Sequence, residues 1–179
     1  DGHSVTAFAR KPKNLDIDHP KLERWAGDAM DPQTVTAAIN GQDAVVITLG
    51  AGASRRSKIR SQGTMNVIQA MQTHGVRRLI CQSTLGAHES WSNLNFFWKR
   101  IMFGLLLRRA FADHIAQESL VRNSGLDWTI VRPGAYTDGE RTGDYRHGFP
   151  ATALDLKLKI ARADVADFML KQLEDDSYL

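Results

Sequence analysis

Six short segments of this chain carry side chains that could do chemistry, and all but one lie at or near the end of a strand-like run. Gln82-Ser83-Thr84 offers an amide and two hydroxyls, able to hydrogen-bond a carbonyl or amide of a bound molecule. Arg10 and Lys11 place two positive charges together, and a guanidinium presents paired donors that match a phosphate or carboxylate. Asp28 and Ala29 follow Gly27, while Leu49-Gly50-Ala51 and Pro133-Gly134 supply small residues where a backbone can approach a ligand closely. His114 lies in a helical pattern, where its imidazole could face a bound group. Each has an ordinary structural alternative. Asp28 can close a turn, Ser83 and Thr84 can satisfy local backbone, His114 can be a packed side chain, and Arg10-Lys11 can be a solvated pair. His74, His88 and His147 have no ligand-like spacing, so no metal site is expected.

The elements that must position these residues alternate between strand and helix. Val5 to Ala9 reads as a strand ending at Arg10, and Glu23 to Ala26 as another ending at Gly27-Asp28. Asp31 can cap a helix whose first position is Pro32, with Val35, Ala38 and Ile39 on one face. Ala44 to Leu49 is an unbroken apolar run, as in a strand covered on both faces. Ile59 to Met71 reads as a helix, Arg78 to Gln82 as a strand, and Leu94 to Asn123 as a long helical region. Gly125 can stop that helix in a left-handed turn, and Trp128 to Val131 follows as a strand closed by Arg132-Pro133-Gly134. A strand near Leu154 to Leu158 and a final helix carrying Val165, Phe168, Met169 and Leu173 complete the pattern. Asp164 falls in that helix's first turn, where the dipole favours a negative charge. Repeated βα units with apolar strands predict an α/β fold with a doubly wound parallel sheet in one domain. In such sheets ligands bind at the carboxyl ends of the strands, where all of these segments but the helical His114 fall.

Composition narrows the function classes. A formal charge of +3 and a pI near 9.2 are mild; they suit an anionic small ligand, and without an aromatic–basic motif they argue against a nucleic-acid binder. Cys81 is the single cysteine, so no internal disulfide forms; it reads as a buried side chain in a reducing, cytoplasmic setting. The most apolar stretch, Phe96 to Leu107, includes Lys99, Arg100 and Gly104 and is shorter than the roughly 20 residues of a membrane span. It predicts a buried or lid-forming helix, with contact to a protein partner or a membrane surface as the alternative.

Further pieces stand in a recognisable order: Gly2-His3-Ser4-Val5-Thr6 with Arg10, Gly41-Gln42-Asp43-Ala44-Val45, Leu49-Gly50, His74-Gly75-Val76, Asp113-His114-Ile115, Ser124-Gly125-Leu126, Arg132-Pro133, Thr142-Gly143 with Tyr145, and Ala163-Asp164-Val165-Ala166. In this set the chain resembles the atypical short-chain dehydrogenases, closest to the biliverdin-IXβ reductase/flavin reductase branch and the NAD(P)H-binding (NmrA-like) proteins around it. The resemblance implies a Rossmann-like fold. Family members begin with a strand, a Gly-rich turn and a helix before the Gly-His-x-Val-Thr segment. No G-x-G-x-x-G occurs here, so the resemblance implies a fold entered after that first unit of roughly 25 residues and weaker dinucleotide binding in its absence.

The resemblance also implies site roles. Arg10, with Lys11, would meet the 2′-phosphate of NADP(H), in preference to NAD(H). Asp28 and Ala29 would lie near the adenine, and Leu49, Gly50 and Ala51 along the cofactor. Gln82, Ser83 and Thr84 end the strand that carries the family's active-site serine, with Thr84 at that position. The Tyr-x-x-x-Lys pair of standard short-chain dehydrogenases falls at Ala110 and His114, so the proton-donating phenol is missing and His114 stands as a cofactor-side residue. Pro133 and Gly134 replace a Pro-His pair of the biliverdin reductase, which weakens biliverdin as the acceptor. The implied activity is NADPH-dependent hydride transfer to a flat conjugated acceptor such as a flavin, a quinone or a biliverdin-like molecule, with a non-catalytic NADP sensor of the NmrA type as the alternative.

Overall fold

A computed structural model describes residues 2–52, 54 and 57–179. In chain order the elements are β1 (Val5–Ala9), β2 (Leu22–Ala26), α1 (Pro32–Ile39), β3 (Ala44–Ile47), α2 (Ile59–His74), β4 (Arg78–Gln82), a π-type helix (Phe97–Leu106), α3 (Arg108–Arg122), β5 (Asp127–Val131), β6 (Ala135–Thr137), β7 (Lys159–Ala161) and α4 (Arg162–Lys171). Every strand pairing is parallel: β1 with β2, β3 with β4, β4 with β5, and β6 with β7.

The local signals act as expected where the physics is local. The Asp31 carboxylate accepts from the Gln33 backbone N–H at 3.0 Å, and Pro32 opens α1. Gly75, at φ +72°, ends α2 in the left-handed region, which favours glycine because it lacks a Cβ.

Strand alternation splits the core. Leu79 and Cys81 of β4 face one side, packed with Val35, Ile39, Val67, Met71 and Val121 from α1, α2 and α3. Ile80 faces the other side and packs with Val131, Val165 and Met169, so α4 covers that face. Helices on both faces explain why these strands read as continuous apolar runs. A third cluster, Leu85, Leu94 and Phe103 with Trp98 and Phe111 against it, lies beyond the carboxyl end of β4.

The long helical region expected from Leu94 to Asn123 holds two helices, the π-type helix ending at Leu106 and α3 beginning at Arg108. One expectation is corrected: the late strand is Lys159–Ala161, not Leu154 to Leu158; Leu154 is 78% exposed and has no packing to hold it in a sheet. Asp164 does lie in the first turn of α4, but its carboxylate accepts from Thr142 N at 2.7 Å, Thr142 Oγ1 at 2.9 Å and Gly143 N at 2.9 Å. It pins the 138–148 segment across the start of α4.

β1 and β3 share no ladder. Side chains of both line a cavity of about 380 Å³ between them, and Val46 of β3 is 43% exposed.

Candidate active site

The carboxyl ends of β4 and β5 open into a cavity of about 330 Å³. Its floor is Thr84, Pro133 and Gly134; one wall is Ala110 and His114, one turn apart on α3; the roof is aromatic, with Trp98, Phe103 and Phe111. Phe103 and Phe111 stack with ring centroids 4.5 Å apart, and Trp98 lies 5.5 Å from Phe103. The π-type helix thus turns Trp98 and Phe103 inward as a lid and leaves Phe96 at 74% and Leu105 at 71% exposure. The expectation of a lid-forming helix matches this geometry, while burial holds for only part of its surface.

The site residues expected from sequence fall into two groups. Ala51, Thr84, His114, Pro133 and Gly134 line this cavity. Arg10, Asp28, Ala29, Leu49 and Gly50 line the neighbouring cavity between β1 and β3. Arg10 and Lys11 also line a shallow recess with Lys13 and Arg24, and no acidic side chain lines it. Gln82 and Ser83 line none of these spaces. Ser83 is 2% exposed, and its N–H donates to the Val131 carbonyl at 2.7 Å, continuing the β4–β5 ladder beneath the site. The Asp28 carboxylate accepts from Met30 N at 3.0 Å, so it closes the turn after β2.

Asp113 explains how the wall is held. It is 5% exposed, and its carboxylate accepts from the backbone N–H groups of Arg60 and Ser61 at 3.1 Å each and from Ser61 Oγ at 2.5 Å. The α2 N-terminus has no cap from its own preceding residue, so α3 caps it from outside. This bond pair fixes α2 against α3 and turns the next residue, His114, toward the cavity. Sequence reading singled out Asp113 only as part of a motif; its neighbour in sequence gave no sign that a partner 52 residues away needed capping.

Burial, with the positive charge of Arg60 second, pushes the His114 imidazole down to about 4. His114 is therefore neutral near pH 7, and its buried Nδ1 has no partner among the described residues. Tyr136, another lining residue that the sequence pattern did not disclose, keeps its phenol proton: burial raises it to about 12, against the opposing charges of Arg162 and Arg60. It supplies a phenol to the same cavity in which Ala110 leaves none.

Two constraints shape the floor. A Cβ on Gly134 would lie 2.8 Å from the Leu158 backbone, because β6 and the lead into β7 close in at this point, with Ala135 N donating to the Leu158 carbonyl at 2.8 Å. Any larger residue is excluded here without a backbone shift. Behind the floor, Arg132 makes two parallel bonds to the fully buried Glu118 of α3, Nε to Oε1 at 2.9 Å and Nη2 to Oε2 at 2.6 Å. Arg132 Nη1 also meets Glu89 at 2.9 Å, and these contacts hold the Glu89 carboxyl down at about 2. The end of β5 is thereby tied to the helix that carries His114.

Among the described residues, no group of three or more His, Cys, Asp and Glu side chains is placed to hold a metal ion, and no helix is long and apolar enough to cross a membrane.

A family model described as NAD(P)H-binding matches residues 1–176. The chain is 28% identical over 184 residues to a Bacillus subtilis protein described as the uncharacterized sugar epimerase YhfK, covering 97% of this chain and 77% of that one. Among solved structures it resembles the oxidoreductase ylbE of Lactococcus lactis, with a TM-score of 0.77 and 25% identity over 100% of this chain and 77% of that one. It also resembles the anaerobillin reductase ChuY of Escherichia coli O157:H7, with a TM-score of 0.65 and 25% identity over 94% of this chain and 75% of that one.

Proposed function

Given that this chain belongs to the NAD(P)H-binding family, we propose that it is an NADPH-dependent reductase that passes hydride to a flat conjugated acceptor such as a flavin, a quinone or a biliverdin-like molecule. The observation that carries this reading is the aromatic-roofed cavity at the carboxyl ends of β4 and β5, lined by Thr84 and a neutral His114. Flat walls of Trp98, Phe103 and Phe111 suit a planar ring system, whose stacking contributes beyond area burial. The likeness to ChuY, an anaerobillin reductase, lends support.

The residues present fit the dinucleotide. Orphaned His114 Nδ1 offers one buried polar group at the reacting end, and a Cβ at Gly50 would meet nothing, leaving open space for a ligand beside the end of β3. Arg10 and Lys11, in a recess without acids, would hold the extra phosphate that distinguishes NADP(H) from NAD(H). Leu49, Gly50 and Ala51 would face the cofactor's length, and Thr84 and His114 its reacting end. The bound cofactor supplies the hydride. The chain's own work is to hold two flat rings in contact, exclude water with the 97–106 lid, and offer hydrogen bonds from Thr84 and His114. Tyr136, protonated at working pH, stands as the proton source that Ala110 cannot be. The open edges of β1 and β3 would pair with one further parallel strand in the cavity between them, with its carboxyl end beside the pyrophosphate.

The test is NADPH oxidation followed optically with riboflavin or menadione as acceptor. Turnover supports the reductase. Tight NADPH binding without oxidation of any acceptor refutes it and supports the second reading, an NADP-sensing regulator. That reading is favoured by the exposed apolar face of Phe96, Phe97 and Leu105, which would dock a protein partner.

A further inference from the structure

Arg60 is the one charged residue lining the aromatic-roofed cavity among the described residues, since His114 is neutral. Its side chain is 15% exposed, and its Nε and Nη1 atoms are buried without a hydrogen-bond partner among the described residues. The nearest carboxylate, Asp113, lies 3.9 Å from Nη1, but both its oxygens are already engaged by the α2 N-terminus and the Ser61 hydroxyl. Burial accordingly lowers the guanidinium's affinity for its proton, with Asp113 offsetting only part of that effect. A guanidinium held in an apolar chamber with idle donors is costly unless an anion pairs with it, and its planar fork matches a carboxylate with two parallel bonds.

We infer that the acceptor of this enzyme carries a carboxylate and that Arg60 pairs with it, setting the specificity of the site. The inference rests on the reductase reading and narrows its substrate class to planar organic acids. Aromatic walls would take the conjugated ring, and Arg60, in the first turn of α2, would fix its orientation through the charged substituent.

The experiment compares anthraquinone-2-carboxylate with anthraquinone-2-carboxamide, a neutral probe of the same shape, using the full-length wild-type protein and the variants Arg60→Gln and Arg60→Lys. Wild type should prefer the acid, and Arg60→Gln should lower kcat/KM for the acid about 10- to 100-fold, the range of a hydrogen-bonded charge pair, while changing the amide about twofold at most. Arg60→Lys should restore part of the preference. NADPH affinity, from fluorescence titration, and the melting temperature should stay close to wild type. Equal losses on both acceptors would overturn the inference, as would a wild type without preference. A rise in the NADPH dissociation constant with an unchanged acid-to-amide ratio would assign Arg60 to the cofactor and equally overturn it. If neither probe is reduced, equilibrium binding to the NADP-loaded protein decides. Acid binding that depends on Arg60 sustains the inference while the reductase reading falls; acid binding indifferent to Arg60, or none, ends it.

Discussion

Lowering the pH should destabilise this protein through one side chain, His114. Its imidazole is pushed down to about 4 by burial and by the charge of Arg60, whereas an unfolded histidine titrates near 6.5. Below about pH 6.5 the unfolded chain therefore binds a proton that the folded chain refuses. Stability is lost as pH falls from about 6.5 to about 4, and no further below that. With these two values the linkage relation gives about 2 kcal/mol of lost stability between about pH 7 and about pH 5. Urea unfolding at the two pH values, on wild type and His114→Gln, isolates the effect. The variant should lack this part of the pH dependence, so the gap between the two proteins should shift by about 2 kcal/mol toward the variant at the lower pH. Because Arg60 contributes to the depression, Arg60→Gln should reduce the wild-type slope without abolishing it. Parallel pH profiles for wild type and His114→Gln would refute the reasoning, since a solvated imidazole would titrate alike in both states. The same depression keeps His114 uncharged in the working range, which is why Arg60 stands as the single positive group lining the cavity among the described residues.

Three further outcomes are expected. Arg10→Asp should raise the dissociation constant for NADPH by at least about tenfold more than that for NADH, because it replaces a phosphate-binding guanidinium with a repelling carboxylate; similar changes for both, by fluorescence titration, would remove Arg10 from the phosphate site. Gly134→Ala should cost about 1–3 kcal/mol, as an overpacked position with a Cβ 2.8 Å from the Leu158 backbone, and thermal melting should show it. Glu118→Ala should cost about 3–5 kcal/mol in urea unfolding by stripping Arg132 of its paired bonds at a site with no solvent, and a loss below about 1 kcal/mol would show that Glu89 alone suffices.

Local physics made much of this molecule legible. The Asp31-Pro32 start of α1, the apolar run of β3 and the strands at Arg78 to Gln82 and Trp128 to Val131 are each set by a few adjacent residues, and each is found where the pattern places it, to within two residues. The αβ alternation also foresaw which strand ends would lie together. Thr84, Pro133 and Gly134 share one cavity because strand ends of a parallel sheet share one edge, and α3 brings His114 to the same space. The same reasoning did not separate Ser83, buried beneath the site, from Thr84 beside it, since strand alternation turns neighbours to opposite sides and the sequence does not say which side is open.

What the amino-acid order determined by itself was the succession of elements, the face each buries, and the edge at which ligands would gather, because propensity, capping and apolar period act over a handful of residues. Only the tertiary structure decided that Asp113 caps a helix 52 residues upstream in the chain, that Arg60 and Tyr136 enter the chamber beside His114, and that Gly134 has no room for a side chain. Those facts depend on how separate elements pack, and packing between distant segments leaves no periodic trace in any one of them.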